Sequence, residues 1–176
     1  VGVGYHANTN YNYGVGVGAN AYVNHSFGVG VGYNAYSNYD AGIGIGYNTS
    51  NNYNYGVGIG ASSRDNHDYG TSVGAFTSSK SSSVALGYYA RACQVEAIAL
   101  GAGATANAMR SVAIGAFCVN HGTDTVKIKE GYTLKVDSIT ISGANVKMVT
   151  ISTNVYVVGY WSATKYYGDG GGLYGV

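Results

Sequence analysis

The chain has 176 residues, 29 of them Gly and 19 Tyr, with no Pro, 10% charged residues and a formal net charge of +1. The near-neutral balance excludes the basic footprint of a nucleic-acid or anionic-membrane binder. The lack of Pro excludes collagen, and no run of 18 apolar residues is present to cross a bilayer as a helix.

From Val1 onward the sequence repeats. Gly4, Gly18, Gly32, Gly46, Gly60 and Gly74 fall 14 residues apart, and Gly87, Gly101 and Gly115 continue the series after one 13-residue step. Each follows Val, Ile or Leu, and two positions before that residue stands another apolar one, with Thr71 the exception. The unit therefore reads apolar–small–apolar–Gly, and nine such units run through residues 1–121. A fixed period of this kind is the signature of a stacked-repeat fold. The repeat is already in phase at Val1, without an initiator Met or signal peptide, so the chain is expected to be part of a longer or processed polypeptide.

Alternate side chains of a strand face opposite ways. The two branched residues of each unit thus share a face, which is expected to line the inside of a coil. The small residue between them is expected to face a neighbouring subunit, where only Gly, Ala or Ser fits. The Gly that follows suits a turn with positive φ. Three residues later a second small column runs Ala7, Ala21, Ala35, Thr49, Ser63, Thr77, Ala90, Ala104, Cys118.

Stacked coils sit about 4.8 Å apart, so equal positions form ladders. Asn10, Asn24, Asn38, Asn52 and Asn66 make one, with amides placed to bond along the stack. Tyr11, His25, Tyr39, Tyr53 and His67 make an aromatic one. A single coil buries two or three apolar side chains, at roughly 1.5–3 kcal/mol each. Ordering its backbone costs roughly 1–2 kcal/mol per residue. Stability must therefore come from stacking and from burial between chains.

Residues 83–87 (SVALG), 97–101 (AIALG) and 111–115 (SVAIG), with AGATA over 102–106, resemble the head repeats of YadA-type trimeric autotransporter adhesins. The resemblance covers residues 1–117 and is closest over 83–117; the earlier units replace Ala by Gly. It implies a homotrimeric parallel β-roll of about nine coils. Similar repeats occur in bacteriophage tail fibres. The Asn-Val-Ala-Gln-Leu neck, the heptad stalk and the anchor strands of the adhesins are absent from the residues that follow the repeats.

Beyond residue 121 the pattern changes. Residues 122–176 read as a strand-rich cap or tip module, with strands expected at 125–129, 132–136, 138–142, 145–152 and 154–161. Tyr156, Tyr160, Trp161, Tyr166 and Tyr167 are the candidate receptor or glycan contacts, because Tyr and Trp give rigid amphipathic surfaces. Packing between subunits is the alternative for the same rings.

Other motifs carry less. Gly170–Gly175 matches GxGxxG without the strand and helix a dinucleotide site needs. Cys118 and His121 offer metal-ligand chemistry but fall short of the four ligands of a structural zinc. Asn24-His-Ser26 and Asn48-Thr-Ser50 match glycosylation sequons. Cys93 and Cys118 form no disulfide framework, which suits assembly in a reducing compartment. No nucleophile–base or paired-carboxylate constellation stands out.

The expectation is an all-β, non-enzymatic fibre without cofactor or metal. Its partners are copies of itself, other fibre or virion proteins, and a host-surface glycan or protein. It is expected on a virion or, alternatively, on a bacterial cell surface. A purely structural filament or sheath subunit is the third reading.

Overall fold

The structure, a computed structural model, describes residues 1–8 and 10–130. Within them every regular element is a strand of two or three residues, and the strands pair in parallel. Ten form one sheet, from Gly2–Val3, Val15–Val17 and Val29–Val31 through to Val112–Ile114 and Val126–Ile128. Each pairs with the strand one repeat later: Val29 with Ile43, Gly30 with Gly44, Val31 with Ile45. A second row holds Tyr36–Asn38, Ser50–Asn52 and Arg64–Asn66, then Ser78–Ser79, Arg91–Ala92, Thr105–Ala106 and Val119–Asn120. This is the expected β-solenoid, one rung per repeat.

The repeat glycines act where expected. Gly4, Gly18, Gly32, Gly46, Gly60, Gly74, Gly87, Gly101 and Gly115 all have φ between 110° and 137°. A Cβ at Gly32 would stand 2.2 Å from the Gly46 carbonyl oxygen. The column therefore stacks bare backbone on bare backbone, which only Gly permits.

The expected facing of the sheet is reversed. The small middle residues, such as Gly30, Gly44, Ser72, Ala85 and Ala99, are buried, while the flanking Val, Ile and Leu side chains point outward. The reason is the bore of a 14-residue rung. A Cβ at Gly16 would already lie 2.3 Å from the Ala21 carbonyl oxygen. Among the described residues the buried apolar side chains are all Ala apart from Cys118, and the bulkiest fully buried ones are Asn24, Asn38, Asn52 and Asn66. No branched side chain fits such a space.

What fills the bore is an amide ladder. Asn24, Asn38, Asn52 and Asn66 each donate from Nδ2 to Oδ1 of the Asn one rung before, at 2.7, 2.7, 2.5 and 2.6 Å. Ser79 ends the series by donating to Asn66 Oδ1 at 2.8 Å. A fully satisfied polar row replaces the usual apolar core. After residue 79 the ladder gives way to Ala92 and Ala106, and an Ala cluster with Cys118 becomes the interior.

The 13-residue step also has a physical origin. In the earlier rungs the second-row strand carries a middle residue with positive φ: Ser37, Asn51 and Asp65, at 55–56°. The later rungs have two-residue strands there instead, as in Ser78–Ser79 and Arg91–Ala92. They regain the lost residue in the following corner: Ala92 to Glu96 takes one step more than Ser79 to Ser82, although Glu96 bonds in register with that corner through the Ser81 carbonyl. The rung that begins at Thr71 has both the short strand and the short corner, so it alone is a residue short.

Val126–Ile128, read from the sequence as opening a separate module, joins the ten-stranded sheet in register with Val112–Ile114. Here Lys127 takes the small-residue position opposite Ala113 and is exposed. A lysine cannot continue the narrow interior. Asn120 closes the last full rung, donating to the Val112 and Thr125 carbonyls and accepting from Gly122 N–H and the Thr125 hydroxyl.

Candidate interaction surfaces

Turning the branched residues outward leaves an apolar row on one side of the ten-stranded sheet. Val17, Ile45, Ile59, Val73 and Leu86 are each 36–39% exposed. Their positions stack rung on rung, so the row is continuous, and no charged residue interrupts it between Val15 and Ile114. Covering two-fifths of such a side chain contributes about 1 kcal/mol. A contiguous apolar strip of this kind marks an interaction site. Sequence reasoning had the right columns but the wrong face. The signal that reveals the facing is the 14-residue rung length, which sets a bore too small for Val.

The aromatic column forms as expected. Tyr11, His25, Tyr39, Tyr53 and His67 stack with centroids 4.8–5.4 Å apart and interplanar angles of 3–27°. Further stacks join Tyr13 to Phe27, Tyr55 to Tyr69, Tyr33 to Tyr47 and Phe76 to Tyr89. Burial between neighbours pushes the Tyr53 hydroxyl above its ordinary range, and Tyr39 and Asp65 push it further. Rings stacked on one another along the axis show solvent their edges, so these columns stiffen the rod more than they offer ring faces to a ligand.

Tyr156, Tyr160, Trp161, Tyr166 and Tyr167, the candidate receptor contacts, lie outside the described residues, as does the GxGxxG match. Cys93 and Cys118 are free thiols. Cys118 is buried with Sγ 3.5 Å from the Lys127 carbonyl, while His121 is exposed beside Asn107, so the two do not converge on one ligand. Asn24 of the first sequon is fully buried in the amide ladder. Asn48 of the second accepts a 2.7 Å bond from Asn34.

Near the end of the roll Arg110 pairs with Asp124, one rung on, through Nε–Oδ1 and a 2.9 Å Nη2–Oδ2 bond. The hydrogen bonds from Arg110 hold the Asp124 carboxyl below its usual range, and those to Asp124 raise the guanidinium. Bidentate pairing of this kind fixes geometry as well as charge.

Residues 95–117 match the YadA head domain repeat, in two copies. No curated protein matches the sequence. The match falls on the rungs with an Ala-lined interior, and the Gly- and Asn-lined rungs before it share their period, their positive-φ glycines and their outward apolar row. Residues 95–117 are thus similar to the head repeats of YadA-type adhesin fibres, and they form part of a parallel β-solenoid whose earlier rungs follow the same plan.

Proposed function

We propose that the chain is a segment of a homotrimeric, non-enzymatic attachment fibre carried on a virion, with the repeats as a stiff rod. The observation that carries the self-association is the outward Val/Ile/Leu row. A lone copy would leave it in water over ten rungs, and identical copies related by a closed rotation offer one another the same strip. Three copies set around a common axis would each turn this side inward and keep the Tyr- and Asn-rich side out.

One sequence feature supports the virion setting: two free thiols suit assembly in a reducing cell interior. The family match favours a second reading, the head of a bacterial trimeric adhesin. The coding sequence on either side separates them. A capsid- or baseplate-docking segment is the result expected; a signal peptide with a β-barrel anchor would overturn the virion setting and leave the fibre itself standing.

A further inference from the structure

Charge is scarce in the rod, yet it gathers at one level. Before residue 64 the only charged side chain is Asp40; Arg64, Asp65, Asp68, Lys80 and Arg91 then fall within three successive rungs. This is also where the rung one residue short interrupts the second row of strands. The middle residue that fills this position in earlier rungs, Asn51 and then Asp65, has no counterpart beside Ser78. Two adjoining recesses of about 280 and 290 Å³ result, both lined by Asp65, Ser78 and Arg91. Each approaches the lower end of the roughly 300–1,000 Å³ range of small-ligand clefts.

The walls of this trough are chemically specific. Arg64 and Arg91 hold the same column two rungs apart, about 10 Å at solenoid spacing, with only the short Ser78 between them. Both are exposed, and neither guanidinium has an ion-pair or hydrogen-bond partner among the described residues. Lys80 adds a third cation, its Nζ 3.4 Å from His67 Nε2. Asp65 is the one acid in the lining, and it is engaged by the Asn51 amide at 2.9 Å. Tyr89 also lines the second recess, stacked on Phe76 at 4.8 Å and about half exposed.

We infer that this trough binds an acidic oligosaccharide, with carboxylate or sulfate groups of sugars about two residues apart seated on Arg64 and Arg91. Planar guanidinium forks match such oxyanions in a bidentate way, and the Tyr89 edge gives the sugar ring an amphipathic contact. Arg64, Ser78 and Arg91 stand on the second row of strands, not on the ten-stranded sheet that carries the apolar row. The proposal takes from the fibre reading only its biological setting.

The test uses the full chain, with its native mass measured in the same samples. Binding of a galacturonic acid hexamer, a dextran sulfate hexamer and neutral maltohexaose is compared by titration calorimetry. At least one acidic oligomer is expected to bind at least 10-fold more tightly than maltohexaose, and to weaken as salt rises. Preference for the galacturonic acid hexamer assigns carboxylated glycans; preference for dextran sulfate assigns sulfated ones. The R64Q/R91Q variant is expected to lose at least 10-fold of that affinity with its assembly mass unchanged, and D65N is expected to hold or gain affinity. Equal binding of neutral and acidic sugars, no binding by wild type, or undiminished binding by R64Q/R91Q would overturn the trough. Should R64Q/R91Q fail to fold, the wild-type comparison of acidic with neutral oligomers still decides. A monomeric mass with acidic-sugar binding intact would count against the fibre reading and leave the trough in place.

Discussion

Gly58 and Asn66 divide one interior volume between them. A methyl group on Gly58 would lie 2.6 Å from Asn66 Nδ2 and 2.7 Å from Asn52 Oδ1. Where the Asn column ends, the glycines at the small middle position end too. The pair becomes Ser72 with Ser79, then Ala85 with Ala92 and Ala99 with Ala106. The Gly-rich and Ala-rich repeats are thus two fillings of one bore.

Overpacking a filled interior costs about 1–3 kcal/mol, so Gly58→Ala should lower the unfolding midpoint. Asn66→Ala should also destabilise, by removing ladder bonds. The double variant should be less damaged than the sum of the two, because the methyl then occupies space the amide has left. A double-mutant cycle by chemical denaturation checks this, and strict additivity would contradict the shared-volume account.

Asn52 both donates to Asn38 and accepts from Asn66. Asn52→Ala strands one acceptor and one donor in a closed interior, where unsatisfied groups cost about 1–3 kcal/mol each. A loss of about 2–4 kcal/mol is expected. Hydrogen exchange should also rise in the rungs on both sides. Exchange confined to the substituted rung would show that the ladder does not couple its neighbours.

The Arg110–Asp124 pair makes the last corner sensitive to acid. A free aspartate titrates near pH ~3.9, and Asp124 is held lower when folded. Its contribution is therefore present above that ordinary value and lost as pH falls through the depressed one. Carboxyl NMR titration should give a midpoint below the ordinary range in wild type and within it in Arg110→Gln. An unchanged midpoint in the variant would remove the pair as the cause.

The period, the rung count, the glycine column and both ladders were legible in the sequence, because each is a statement about spacing. Which face of the strand lies inside was not. Alternation places Val29 and Val31 on one side and Gly30 on the other, and the habit of large globular cores puts Val inside. In a bore one rung wide the rule inverts, since Gly30 shares its space with the amide of Asn24. The step between Gly74 and Gly87 was visible as a missing residue. Its consequence, a recess beside Ser78, depends on the positive-φ residue that Arg64–Asn66 carries and Ser78–Ser79 lacks. That Val126–Ile128 is the tenth strand of the sheet was not legible, because Lys127 breaks the small-residue column while Val126 and Ile128 keep the pairing.

Sister copies are expected to seal the branched side chains that face outward. Native mass spectrometry of the full 18.1 kDa chain addresses this directly, alone and with Ile45→Lys and Ile59→Lys placed in the row. The expected result is a three-copy particle for wild type and a folded single copy for the lysine variant. A wild-type chain that remains folded, soluble and single at micromolar concentration would contradict it.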